Sequence, residues 1–179
     1  MQRLFPFFLA LLLGFCASAP QALADSAKKS YDKGYKRHMQ GNYRSAIDHY
    51  SKAIDRRSEY VQAYQMRAAA WHSLNDHKRA AKDYSKVIQL GKTSFRAVGH
   101  FNRGVVYYDS GRYVDAIVDF TSALSLDHRM GMAYLFRGIA KSKIGDRKGQ
   151  VEDFALAARY GDFEIREMLE KHAPHTLKK

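Results

Sequence analysis

A short sequence unit recurs four times along the chain, and this periodicity limits the fold more than any other feature. The copies begin at Gly34, Ala68, Gly104 and Gly138, with constant spacing except for two extra residues between the second and third. Apolar and small residues recur at three- and four-residue steps on both sides of a turn, which predicts two amphipathic helices per unit. The shared landmarks are the turn residue (Gly41, Asn75, Gly111, Gly145) and a later aromatic residue (Tyr50, Tyr84, Phe120, Phe154).

This unit resembles the tetratricopeptide repeat (TPR), a helix–turn–helix motif with the same period. The resemblance covers Ala27 to about Glu164. It implies an all-α protein, a right-handed α-solenoid of about four TPR units with a C-terminal capping helix. We predict units at about residues 27–60, 61–94, 97–130 and 131–164, a capping helix at 163–171 and a flexible tail at 172–179.

Small residues at matching positions predict how each hairpin closes. Glycine inside a helix costs about 1 kcal/mol relative to alanine, so Gly34 and Gly104 indicate a close approach between two helices. We expect Ala46 and Ala116, twelve positions later, to lie opposite them. Two extra residues around Thr93 to Arg96 are expected to lengthen and loosen the junction between the second and third units.

The N-terminal segment, Met1 to Ala24, has the layout of a secretory signal peptide. Arg3 precedes an apolar run from Leu4 to Ala19, and small residues follow up to Ala24, which predicts cleavage before Asp25. A membrane anchor is the alternative, but the run is short for a span. The segment also contains the single cysteine, Cys16, so the remaining chain has no disulfide or thiolate chemistry. We therefore predict an exported protein, periplasmic or secreted.

The chain is strongly basic, with 30 Lys and Arg against 18 Asp and Glu and a formal net charge of +12. Such a charge favours acidic partners, and export argues for envelope components rather than nucleic acid. Many cations fall on the predicted second helices of the first two units: Arg44, Lys52, Arg56, Arg57, Lys78, Arg79, Lys82 and Lys86. A solvated surface is the simplest interpretation. The alternative is docking of this face to an anionic membrane, an envelope polymer or an acidic protein.

An arginine and an aspartate sixteen residues apart occur in three units, as Arg67 with Asp83, Arg103 with Asp119, and Arg137 with Asp153. A catalytic pair would occur once, so repetition favours structural ion pairs. We expect each arginine to pair with the aspartate of its own hairpin, with the preceding unit's aspartate as the alternative. In the first unit Lys33 and His49 occupy both positions.

The sequence gives little indication of a metal site or of catalysis. His72 with His77, and His172 with His175, have no cysteine or carboxylate at metal-ligand spacing. The sequence contains no phosphate-binding glycine loop and no nucleophile motif. We predict no metal, no cofactor and no enzymatic activity.

The resemblance implies that the first helix of every unit lines an inner groove that binds peptides or helices. The predicted lining is Tyr31, Tyr35, His38, Met39, Gln62, Gln65, Ala69, His72, Val98, Phe101, Val105, Tyr108, Met132, Leu135 and Ile139. Its later half is apolar, as binding surfaces often are. The alternatives are that the last helix covers these residues or that they pack between units. Tyr31 and Tyr35 stand where some family members hold a C-terminal carboxylate with lysine and asparagine. The leading prediction is an adaptor for a protein or peptide partner in the envelope.

Overall fold

The computed structural model describes residues 7–174, and describes side chains from residue 21 onward. Within that range the secondary structure is entirely helical. The elements are α1 (Phe7–Met39), α2 (Tyr43–Arg56), α3 (Val61–Ser73), α4 (His77–Leu90), α5 (Thr93–Asp109), α6 (Tyr113–Leu126), α7 (Gly131–Lys143), α8 (Arg147–Tyr160) and α9 (Phe163–His172). The first eight form four successive hairpins, which we call units 1 to 4.

The turn inside each unit depends on one residue in the left-handed backbone region. Gly41, Gly111 and Gly145 have φ values of 72°, 77° and 84°, and Asn75 has 59°. Glycine adopts this conformation without a steric penalty, and asparagine tolerates it better than most residues. The following residue is the N-cap of the second helix; Asn42, Asp76 and Asp146 accept a hydrogen bond there from a backbone N–H three residues later. The predicted turns therefore lie where the repeat indicated.

The two helices of units 1 and 3 approach each other closely at the glycine that begins the repeat. A Cβ on Gly34 would lie 2.7 Å from ring carbons of Tyr50, and one on Gly104 would lie 2.7 Å from the ring of Phe120. The carbonyl oxygen of Ala46 also lies 3.2 Å from the Gly34 position, so the predicted Ala46 contributes to this contact beside Tyr50. The prediction for Ala116 was wrong, since the three atoms nearest the Gly104 position all belong to Phe120. A helical side chain leans towards the N-terminus of its own helix, so a ring covers the preceding turn.

Neighbouring units stack through alternate helices. Each second helix packs against the next first helix, as α2 does with α3 and α4 with α5. Consecutive first helices (α1, α3, α5 and α7) also touch, whereas consecutive second helices make no comparable contact within residues 7–174. The first helices therefore form the inner row of the stack and the second helices the outer row.

The junction between units 2 and 3 differs from the prediction. Only Gly91 and Lys92 separate α4 from α5, whereas four residues, 57–60, separate α2 from α3. The two extra residues are absorbed by α5, which has 17 residues against 13 in α3 and α7. The insertion lengthens a helix and leaves the connection short.

The two ends of the chain carry predictions that reach beyond the described residues. The predicted signal peptide, 1–24, includes residues 1–6, which lie outside them, and its predicted cleavage position falls within the helical backbone of α1. The tail beyond residue 174 also lies outside. Among the described residues, no helix combines the length and apolar character needed to cross a membrane.

Candidate functional site

Three arginine–aspartate pairs connect the two helices of units 2, 3 and 4. Arg103 binds Asp119 through both carboxylate oxygens, with Nε–Oδ2 at 2.7 Å and Nη2–Oδ1 at 2.8 Å. The same bidentate geometry joins Arg67 to Asp83 and Arg137 to Asp153, with distances between 2.6 and 2.9 Å. The aspartates are buried, at 1–5% exposure. Each arginine therefore pairs within its own hairpin and not with the preceding unit's aspartate.

Each of these arginines also reaches back to the unit before it. Nη1 of Arg103 donates to the Ser85 hydroxyl at 2.8 Å, and Nη1 of Arg67 donates to Ser51 at 2.9 Å. Arg137 makes the same bond to Thr121 at 3.1 Å. One guanidinium thus connects three helices from two units.

The hydroxyl side chains that accept from these arginines follow a sequence pattern of their own, which the alignment of the four units did not reveal. In units 1 to 3 a serine or threonine directly follows the core aromatic residue, whereas in unit 4 that place holds Ala155. Within residues 7–174 no further hairpin follows unit 4 to supply an arginine, and unit 1 has Lys33 in place of the arginine. The presence of each hydroxyl therefore follows the presence of the next unit's arginine.

Two of the aspartates have a further polar neighbour. Nδ1 of His100 lies 2.9 Å from Asp119, and Nζ of Lys141 lies 2.9 Å from Asp153. The hydrogen bond that Arg103 donates to the Asp119 carboxylate stabilises the charged guanidinium and raises the pKa of Arg103 above its ordinary value. Buried, fully paired charges of this kind hold helices together and present no free reactive group.

The inner row has three kinds of predicted groove residue. Exposed side chains are Tyr35 (46%), Met39 (67%), Met132 (42%) and Gln62. Half-buried ones are Tyr31, His38, Gln65, Ala69, His72, Val98, Phe101, Val105, Tyr108 and Ile139. Leu135 is buried, at 6% exposure. The groove open to a partner is therefore smaller than the sequence predicted.

The apolar later half of the predicted groove is largely used for packing. Phe101 meets Phe136 of the next unit edge-on, with ring centroids 5.8 Å apart. Val105 and Tyr108 pack on the same cluster around Phe120. These residues join units 3 and 4, as the packing alternative proposed.

Unit 4 is covered by the last helix. Leu135 lies in one cluster with Ile165 and Leu169 of α9, and Ile139 packs against that cluster. The prediction that Leu135 lines an open groove is wrong, because α9 lies over it. Ile139 is half-buried by the same contact.

Two clefts meet at the start of α5 on the inner row. One, of about 390 Å³, is lined by Val98, by Leu126 at the end of α6 and by Met130 of the α6–α7 connection. The other, of about 200 Å³, joins Val98 to Gln65 and Phe95. The extra turn of α5 forms walls of both, so the longer helix creates concave surface here.

The groove also contains one polar contact between units. Nε2 of His72 lies 2.8 Å from Oδ2 of Asp109, which links α3 to α5. His77 lies beside His72, with ring centroids 5.7 Å apart. Within the described part of the chain, no group of three or more His, Cys, Asp or Glu could hold a metal ion. His175 lies outside it.

The outer row contains the predicted cations and a cleft that sequence reasoning had not found. Seven of the eight side chains are exposed and Lys86 is half-buried. Arg79 pairs with Asp76 and lies over the ring of Trp71 at 3.7 Å. Trp71 and Arg44 line a cleft of about 540 Å³ between units 1 and 2. In the sequence, the only indication of this cleft was the single tryptophan, Trp71.

Comparison with known proteins gives one consistent family. Models of the tetratricopeptide repeat match residues 39–95 and 97–130, which together are just over half of the chain. No curated protein matches the sequence.

Solved structures share the fold at low sequence identity. MamA is 21% identical with a TM-score of 0.70, over 82% of this chain and 81% of that one. YrrB, described as a TPR protein with an unusual peptide-binding site, is 19% identical with a TM-score of 0.69, over 90% and 88%. The second TPR domain of human RPAP3, solved with an HSP70 peptide, is 24% identical with a TM-score of 0.61, over 68% and 98%.

Proposed function

Because the chain belongs to the tetratricopeptide-repeat family and folds as an all-α TPR solenoid, we propose that it is a non-catalytic scaffold that binds a protein or peptide partner through its inner groove. A stack of hairpins presents an extended concave surface, which suits recognition of another chain. The charged pairs of units 2 to 4 are buried and mutually satisfied, so they support the stack. The groove residues are left to meet a partner.

The observation that carries the proposal is the pair of clefts meeting at Val98. Both lie against the start of α5 on the inner row, although the larger one also reaches the end of α6. Their walls combine apolar side chains such as Val98 and Met130 with polar ones such as Gln65 and Asp127. Apolar contact area with a few polar groups is the usual composition of a peptide-binding surface. Met132 and Tyr35 extend it in both directions as exposed apolar side chains.

Related structures support the same mode of binding. YrrB is described as having a peptide-binding site, and the RPAP3 domain was solved with an HSP70 peptide bound. We propose that this chain likewise binds an extended or helical segment. Tyr31 and Tyr35 cannot supply the charged and amide contacts of a terminal-carboxylate clamp, so we propose recognition of an internal segment.

We also propose that the protein acts outside the cytoplasm, in the periplasm or cell envelope. The proposal depends on the signal-peptide pattern of residues 1–24, with cleavage between Ala24 and Asp25. The partner would then be an envelope protein. Sequencing the N-terminus of the chain isolated from its own cells would test this, since an intact Met1 would contradict it.

Affinity capture from envelope extract tests the groove. We expect Gln65→Ala combined with Val98→Ala to lower retention of a partner at least about fivefold, because both side chains line the clefts. Val114→Ala combined with Val118→Ala is the matched control, since these valines of α6 are 64% and 60% exposed on the outer row. Equal loss in both double variants, or no loss in the groove variant, would contradict the proposal.

A second candidate is electrostatic binding through the outer row. Arg44, Lys52, Arg57, Lys78 and Lys82 are exposed, and none forms a salt bridge within the described residues. Binding of this kind weakens steeply as salt rises. Retention that survives moderate salt and survives Arg56→Glu with Arg57→Glu would exclude it and support the groove.

A further inference from the structure

Unit 1 differs from the others at the position of the ion pair. Units 2 to 4 place an arginine and a buried aspartate there, whereas unit 1 places Lys33 and His49. Two groups that neutralise each other are thus replaced by two bases.

Further cations surround this position. Lys33, Lys36 and Arg37 from α1, Gln40 from the turn that follows it and His49 from α2 line a cleft of about 440 Å³, which we call the first-unit pocket. Lys33, Lys36 and Arg37 are exposed, and His49 is half-buried. Arg37 donates to Gln40 over a long 3.5 Å. Every wall residue is a base or an amide.

The positive charge of the first-unit pocket is not neutralised by a carboxylate of the described chain. Within the described residues, its lysines and Arg37 form no salt bridge. Asp32, the neighbour of Lys33 in sequence, is held by Lys28 at 2.7 Å. Asp48, the neighbour of His49, lines the separate cleft beside Trp71. The positive charge is therefore available to an external anion.

The titration of His49 agrees with this electrostatic environment. Burial lowers the pKa of His49 below its ordinary value, and Lys52, Lys33 and Arg37 lower it further. Asp48 acts in the opposite direction and is the smallest influence. The imidazole lies in a net positive field, which a bound anion would reduce.

The position of the pocket explains why it is open. In units 2 to 4 the residue matching Lys36 is Ala70, Val106 or Ala140, each completely buried. In unit 1 no earlier unit among the described residues packs against this surface, so the same strip faces outward. An open end needs polar residues, but a mixture of both charges would serve solubility equally well. Solubility alone therefore does not explain a concave cluster in which all the charged side chains are positive, whereas binding of an anion does.

We propose that the first-unit pocket binds a phosphate group. Arginine donates to phosphate oxygens in a planar fork, and lysine binds phosphate as a point charge. A phosphate group carries up to two negative charges and several strong acceptor oxygens, so it can accept from several converging cations at once. This site is separate from the inner groove, so it does not depend on partner binding there.

The test uses inorganic phosphate as the probe and isothermal titration calorimetry of the full chain. Lys33→Arg with His49→Asp should restore the ion pair of the other units and weaken phosphate binding about tenfold or more. Lys78→Gln is the control, because it also lowers the formal charge by one but lies on α4, away from the pocket. Binding by the wild type and this control, with loss in the double variant, is the expected result. Equal binding by all three proteins, or none by the wild type, would overturn the proposal.

A second variant keeps the proposal testable if the first variant fails to fold. Lys36→Gln with Arg37→Gln changes only exposed side chains of the pocket and should also weaken binding about tenfold. Unchanged affinity in this variant would overturn the proposal. Phosphate should also raise the pKa of His49 in an NMR titration of the wild type, and an unchanged value would contradict binding at this site.

Vesicles distinguish the two sources of phosphate. Sedimentation with phosphatidylglycerol vesicles, compared with phosphatidylcholine vesicles, tests a lipid headgroup in the same variants. Loss of phosphatidylglycerol binding only in the pocket variants would assign the site to a headgroup. Calorimetric binding of inorganic phosphate without vesicle binding would assign it to free phosphate or a soluble phosphate ester.

Discussion

At the scale of single residues, short hydroxyl side chains connect one unit to the next. Ser85 accepts from Arg103 at 2.8 Å and donates to the Ala81 carbonyl of its own helix at 2.8 Å. The guanidinium it binds is already committed to a buried aspartate. Removing the hydroxyl would leave one arginine N–H without its partner at the boundary between two units.

We predict that Ser85→Ala lowers the free energy of unfolding by about 1–2 kcal/mol, because a hydrogen bond to a charged group is lost. Ser122→Ala is the control, since Ser122 donates only to the Val118 carbonyl in its own helix. We expect this control to cost less than about 0.5 kcal/mol. Urea denaturation measures both, and equal effects would show that the bond between units contributes nothing.

Residue spacing predicted some of these contacts and missed others. The sixteen-residue spacing of Arg103 and Asp119 predicted their pairing, because repetition in three units made a structural role the simplest interpretation. Spacing alone placed Ala116 opposite Gly104, whereas Phe120 occupies the contact. The direction in which a helical side chain leans decides this, and residue counting does not include it.

At the scale of helices, α9 decides how much of the inner row is open. Leu169 of α9 is 1% exposed and lies in one cluster with Leu135 and Phe154 of unit 4. A terminal unit has an uncovered apolar face, and an added helix is one way to bury it. The amphipathic pattern of residues 163–171 predicted this helix. It could not predict which residues the helix covers, because that depends on packing between distant segments.

We predict that Leu135→Ala lowers the free energy of unfolding by about 2–5 kcal/mol, as expected for a truncated core leucine. Met132→Ala, one turn earlier on the same helix, should cost less than about 1 kcal/mol because Met132 is 42% exposed. Thermal or urea denaturation distinguishes the two. A small effect of Leu135→Ala would mean that α9 does not cover this position in solution.

The start of α5 shows the same limit of sequence reasoning. Two extra residues were recognised from the repeat spacing, but a longer loop and a longer helix use the same number of residues. The structure adds them to α5, where they form walls of both clefts around Val98. The two clefts of the inner row therefore lie at the place where the repeat is irregular.

At the scale of the whole molecule, the two ends of the stack differ. Unit 1 ends in the basic first-unit pocket, whereas unit 4 ends beneath α9. The inner row between them is the surface that neither end occupies. Stability in such a stack is a sum over units and their interfaces, so one surface can change without unfolding the others. The proposed binding surface can therefore be tested by substitutions that leave both ends of the stack intact.

The central claim is that a partner contacts the inner row and not the outer one. Site-specific photo-crosslinking in envelope extract tests it directly, with a benzophenone side chain placed at Met132 or at Val118. Both positions are exposed, at 42% and 60%, but Met132 lies on an inner helix and Val118 on an outer helix. We predict a discrete cross-linked partner from Met132 and none from Val118. The same partner cross-linked from Val118 but not from Met132 would contradict the claim.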